Sequence, residues 1–233
     1  MGDKIIEEAY AGDPIRRVMT NAFSKANMND LAFDPVAARK MQFKFSVDVK
    51  TMSATNQKQS GRCWLFAALN TMRFEIMRKL DLETFELSQN YQMFYDKLEK
   101  ANYFLENMLE TLDEPRDGRV VSFLLKDPLG DGGQWDMFRS LVEKYGVVPK
   151  DLMPETAASS ATAELRKYMT TKLREYACEL RTAHEAGEDM EALRARKDKM
   201  METVYRMLCI ALGKPPVRFT WETRDKNRKF IRI

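Results

Sequence analysis

A cysteine at the mouth of a helix is the residue in this chain best placed to do chemistry. In Asn56-Gln57-Lys58-Gln59-Ser60-Gly61-Arg62-Cys63-Trp64-Leu65-Phe66-Ala67, a turn-forming Ser-Gly pair leads into a helical apolar stripe, and Cys63 stands at the junction. The first N–H groups of a helix have no partner within it, and its aligned peptide dipoles put positive charge there. Both favour negative charge on sulfur, so a cysteine in that position can act as a nucleophile near neutral pH. Gln57, six residues upstream, carries a side-chain amide able to donate near the same point. That amide and the Cys63 backbone N–H would together make an oxyanion hole, the donors that steady a carbonyl oxygen under attack. Each residue alone has a plainer reading: a small buried thiol, and a turn glutamine bonded to its own loop.

A thiol nucleophile needs a base, normally an imidazole held at hydrogen-bonding distance. His184 is the only histidine in the 233 residues. It lies in Arg181-Thr182-Ala183-His184-Glu185-Ala186-Gly187, which reads as the tip of a helical hairpin, so it is expected to be a solvent-exposed turn residue and not the base. Gly130-Asp131-Gly132-Gly133-Gln134-Trp135 offers a place where absent side chains let a peptide backbone lie close, though most Gly-Gly pairs are simple turns. Cys178 and Cys209 fall within helical stripes and read as core thiols.

The Gln57-x5-Cys63-Trp64 spacing resembles the papain-like cysteine peptidases. Ser60-Gly61-Arg62-Cys63-Trp64-Leu65-Phe66 is similar, within that group, to the bleomycin hydrolase and aminopeptidase C branch. Secreted members of the wider group carry a disulfide cysteine where Ser60 stands. Leu87-Ser88-Gln89-Asn90-Tyr91 resembles the branch's Leu-Ser helix start, and Gly130 to Trp135 its Gly-Gly substrate loop. Cys209 to Lys226, with Gly213-Lys214-Pro215-Pro216 inside, resembles the segment before the second half of the peptidase.

The resemblance implies an α+β, papain-like fold, of which this chain holds mainly the helical half plus a helical hairpin insertion, with the strand-rich half absent. The implied parts are 1–155 with nucleophile and substrate loop, 156–213 as the hairpin, and 214–233 opening the second half. The implied activity is thiol-dependent hydrolysis of peptides, as an aminopeptidase. Cys63 attacks, Gln57 stabilises the oxyanion, Gly132 and Gly133 align the substrate backbone, and Trp64 lines the cleft. Full-length members form hexameric rings, which implies a homo-oligomer. The branch's catalytic His and Asn lie in its other half, so this chain alone is expected to be inactive or incomplete. The competing expectation is a non-catalytic helical protein-binding module, or a truncated remnant.

Composition narrows the classes. Thirty-eight Lys and Arg face 35 Asp and Glu, and a net charge of only +3 makes no case for nucleic acid. The basic tail, Arg224, Lys226, Arg228, Lys229 and Arg232, reads as a solvated face. No apolar run is long enough to span a membrane, and the first residues lack the apolar core of a secretory signal. Three widely spaced cysteines offer neither a disulfide framework nor a zinc motif. The expectation is a cytoplasmic protein with no metal and no cofactor.

The elements that must position Cys63 follow from periodicity. Phe43, Phe45, Val47 and Val49 alternate with polar residues, which predicts a short strand. Leu65, Leu69, Met72, Ile76 and Leu80 predict a helix of about five turns from Cys63, with Arg73, Arg78 and Lys79 off its apolar stripe. Ser88 is the expected N-cap of a helix running towards Leu109. Pro115, Gly118, Asp127-Pro128 and Gly130 to Gly133 predict a long loop. Met137, Phe138, Leu141, Val142 and Tyr145 predict a short helix stopped by Gly146, followed by an extended Val147-Val148-Pro149. Two further stripes, Leu165-Met169-Leu173-Tyr176-Leu180 and Met190-Leu193-Met200-Val204-Leu208, flank Gly187 and predict a helical hairpin, ended by Pro215-Pro216.

Overall fold

The computed structural model describes residues 7, 8, 10, 11, 13–41, 44–47 and 52–233. The chain divides into two units, 1–50 and 51–233. In the first, α1 (Pro14–Phe23), α2 (Met28–Ala32) and α3 (Pro35–Lys40) begin at Asp13, Asn27 and Asp34. Each cap oxygen accepts from the N–H two residues on, at 2.8–2.9 Å. None of these helices has a buried residue. Of the strand expected nearby, Phe43 and Val49 lie outside the described residues. Lys44 to Val47 are not strand, and Phe45 and Val47 are 78% and 75% exposed. Alternation yields a strand only where a neighbour pairs with it, and among the described residues nothing pairs there.

The second unit is built around α5 (Gln89–Glu110). Ser88 caps it, its Oγ accepting from the Tyr91 N–H at 3.0 Å. Met93, Phe94, Ala101, Phe104, Leu105 and Met108 bury its apolar side. Against it pack α4 (Cys63–Leu80), α6 (Arg119–Lys126), α7 (Trp135–Tyr145), α9 (Ala163–Glu185) and α10 (Met190–Leu212). A 3-10 turn at Lys150–Leu152 and the short α8 (Ala157–Ser160) link α7 to α9. The expected stop of α7 is present: Gly146 adopts φ +74, which only glycine adopts without strain. The expected extended exit is present too, with Leu87 and Pro149 bridging antiparallel and the Ser88 N–H on the Val148 carbonyl at 2.9 Å. The α9–α10 hairpin buries Leu173, Tyr176, Leu180, Leu193, Val204 and Leu208 in the same core as α5.

Several expectations are corrected. The long loop contains α6, an eight-residue helix whose Val121 is buried while Phe123 stays 76% exposed. Arg73 is buried on the inner side of α4, where it donates to the Ser53 carbonyl at 3.2 Å. Cys178 is exposed, not a core thiol, because it lies on the outer side of α9 between the inward Ala177 and Leu180. Cys209 is half-buried against the core, as expected. The α10 helix ends at Gly213, φ +89, before the proline pair. The basic tail is exposed, as expected, and forms a hairpin, β1 (Glu222–Arg224) against β2 (Phe230–Arg232), with Glu222 opposite Arg232. Trp221 anchors it edge-on to Phe85, centroids 5.3 Å apart. The class is α+β, and among the described residues the strands are confined to that hairpin. Among those residues no helix is long and apolar enough to cross a membrane.

Candidate active site

Cys63 is the first residue of α4 and its side chain is exposed. The residues on either side of it are tied down. Arg62 is 1% exposed and reaches Glu155 with two hydrogen bonds, of 2.9 and 2.8 Å. The Trp64 indole N–H donates to the Asp131 carbonyl at 2.8 Å. Gln57 donates through Nε2 to the Ser60 carbonyl at 2.7 Å, and Ser60 Oγ donates back to the Gln57 carbonyl at 2.6 Å. An amide nitrogen carries a second hydrogen beyond that bond. The loop is also held from outside: the Gln59 N–H bonds the Ser160 carbonyl at 2.9 Å, and the Gln59 carbonyl accepts from the Thr162 N–H at 3.2 Å.

Asp131 joins this loop to the Gly-Gly turn. One carboxylate oxygen accepts from Lys97 Nζ at 2.7 Å, and the other accepts from Thr162 Oγ1 at 2.7 Å and the Gly61 N–H at 3.3 Å. A Cβ on Gly61 would lie 2.7 Å from the Asp131 Cβ, so the turn before Cys63 must be glycine. Burial pushes the Asp131 carboxyl up; the charge and hydrogen bond of Lys97, then Thr162 and Gly61, outweigh it and hold it at about 2. Lys100 Nζ donates to the Gly130 and Gly132 carbonyls, both at 2.7 Å, and pairs with Asp96 at 2.9 Å. Burial lowers Lys100 and raises Asp96, each against the attraction of the other. The two lysines thus clamp the 129–132 loop onto α5.

The two glycines differ. A Cβ on Gly133 would come within 2.5–2.7 Å of the Trp64 ring, whereas one on Gly132 would meet nothing within 4 Å. A groove of about 320 Å³ opens beside this stack, lined by Trp64, Ala67, Thr71, Gln134, Trp135 and Phe138. His184 is not brought to Cys63. It sits in the last turn of α9, with Nε2 3.1 Å from Asp113, just beyond the end of α5. Lys97, which holds the Cys63 side of the unit through Asp131, lies thirteen residues earlier than Glu110 on that helix, about 20 Å at 1.5 Å per residue.

Sequence reasoning missed Lys97, Lys100, Asp96 and Asp131 as a group, and Arg62 with Glu155. The helix that carries Asp96, Lys97 and Lys100 also carries Gln92, Glu99 and Asn102, so nothing local marks which of its charges are buried and must pair.

The Peptidase C1-like family matches residues 3–233. Aminopeptidase C of Listeria innocua is 47% identical over 218 residues, 94% of this chain and 49% of the relative. Bleomycin hydrolase of Homo sapiens is 41% identical over 225 residues, 95% of this chain and 50% of the relative. The crystal structure of PepW from Lactobacillus rhamnosis HN001, a selenomethionine derivative, superposes with a TM-score of 0.94 at 43% identity, over 99% of this chain and 52% of that one. The chain therefore spans about half the length of these relatives, with the papain-like fold of that half. With a cysteine opening its first long helix, a glutamine six residues before it and a matching backbone throughout, the chain belongs to the Peptidase C1-like family.

Proposed function

We propose that Cys63 is the nucleophile of a thiol-dependent aminopeptidase acting on peptides. The observation that carries this reading is the exposure of Cys63 as the first residue of α4, while Arg62 and Trp64 are bonded away to Glu155 and Asp131. The Cys63 sulfur attacks the scissile carbonyl. The Cys63 N–H and the second Gln57 amide hydrogen receive the oxyanion. The turn at Gly132 and Gly133 aligns the substrate backbone, and the groove at Trp64 takes a substrate side chain. The base that accepts the thiol proton is not His184, which pairs with Asp113 beyond the far end of α5. It comes from a segment other than the described residues.

Supplying the C-terminal half of Listeria innocua Aminopeptidase C in trans tests this. Hydrolysis of aminoacyl reporters should appear, vanish in Cys63→Ala, fall roughly 10²–10³-fold in Gln57→Ala, and be unchanged in His184→Ala. Activity surviving in Cys63→Ala, or lost in His184→Ala, contradicts the assignment. A stable complex without hydrolysis favours the non-catalytic binding module.

A further inference from the structure

Arg62 precedes the nucleophile, yet its charge is buried. The guanidinium has three hydrogen bonds: two to Glu155 at 2.9 and 2.8 Å, and one from Nε to Ser60 Oγ at 2.9 Å. Its face lies 5.0 Å from the Phe66 ring centroid. Glu155 is itself held, accepting from Ser159 Oγ at 2.6 Å. The neighbouring Thr156 fixes α8 to the end of α10 through Ala211, at 2.9 Å. From Glu155 the bonds continue through Arg62 and Ser60 to Gln57. A serine hydroxyl has one hydrogen. Because Ser60 Oγ accepts from Arg62, that hydrogen is directed to the Gln57 carbonyl, and the Ser60 carbonyl in turn receives the Gln57 amide. Each guanidinium nitrogen thus has a partner, as a buried ion requires, and a lysine lacks the planar fork that grips both Glu155 oxygens while Nε holds Ser60.

We propose that Arg62, anchored by Glu155 and acting through Ser60, is a positioning residue that holds the Gln57 amide at the oxyanion site. This rests on the reading of Gln57 as an oxyanion donor. The thiol itself is left out of the chain of bonds, so loss of the relay should alter chemistry at a carbonyl and leave simple alkylation alone.

The test compares two electrophiles at Cys63, in a Cys178→Ser background. A peptide aldehyde forms a hemithioacetal: the sulfur bonds the carbonyl carbon, and the carbonyl π pair moves to oxygen, which takes up the thiol proton. The adduct's oxygen uses the Gln57 amide. Iodoacetamide is displaced at carbon with loss of iodide and involves no oxyanion. Gln57→Ala should weaken aldehyde binding by about tenfold, less than a transition-state oxyanion would report, because the adduct oxygen is neutral. Ser60→Ala and Arg62→Lys should each weaken it by a similar factor, with the iodoacetamide rate within about twofold of the parent and no further loss when Ser60→Ala is combined with Gln57→Ala. If Arg62→Lys fails to fold, Ser60→Ala still decides, since it keeps the ion pair. Equal effects on both electrophiles, or losses that add in the double variant, overturn the inference. A normal Ser60→Ala beside a weakened Gln57→Ala overturns it alone. An unaffected Gln57→Ala overturns the oxyanion reading, and this inference with it.

Discussion

Gly132 and Gly133 are neighbours with different reasons to be glycine. Gly133 has the Trp64 indole against its α-carbon, and the indole is fixed by its bond to Asp131. Gly133→Ala should destabilise the fold by about 1–3 kcal/mol, as overpacking does. Gly132→Ala, facing open space, should change stability by less than about 0.5 kcal/mol. Denaturant melts of the two variants check this, and equal losses would show that the indole moves freely. The resemblance marks the pair and makes Gly133 the expected substrate contact, but which glycine meets an indole depends on how the loop lies on α4, and no local pattern carries that. Cys63 was legible for a local reason, a thiol at a helix start preceded by a turn. Cys178 was misread because apolar spacing alone does not say on which side of a stripe an intervening residue falls.

At the scale of elements, Asp131 fastens the start of α4, the middle of α5 and the start of α9, through Gly61, Lys97 and Thr162. Its carboxyl is depressed from the ordinary 3.8 to about 2. A depressed carboxyl adds stability above its unfolded value and loses it as pH falls through its folded one. Asp96 in the same network is raised by burial and works in the opposite direction. The stability difference between the parent chain and Asp131→Asn reports Asp131, together with the smaller relief of its repulsion on Asp96. That difference should be full near neutrality and shrink between pH ~4 and ~2. A difference independent of pH over that window would mean that Asp131 is not held as an ion. Long helices were legible from periodicity: α4 and α5 begin where Cys63 and Ser88 place them. The eight-residue α6 and the three-residue strands were not, since each is too short to carry a period and is held by packing, as Trp221 is against Phe85. The bonds of Arg62 and Lys97 join residues 93 and 34 positions apart, beyond any local pattern.

At the scale of the molecule, the chain spans about half the length of its relatives. Trp135, 65% exposed, lines one groove with Trp64 and Phe138, and contiguous exposed apolar surface promotes association. We propose that the chain self-associates; sedimentation velocity should show species heavier than the 27.1 kDa monomer, and a sharp monomer at micromolar concentration would contradict this. The central claim is that Cys63 is a nucleophile by virtue of its position, and the chain contains its own control. Cys63 and Cys178 are both exposed, but only Cys63 begins a long helix. Time-resolved alkylation with iodoacetamide at pH 7, read thiol by thiol by peptide mass spectrometry, is the most direct measurement. The account predicts that Cys63 reacts at least about tenfold faster than Cys178. Equal rates at the two exposed thiols would contradict it.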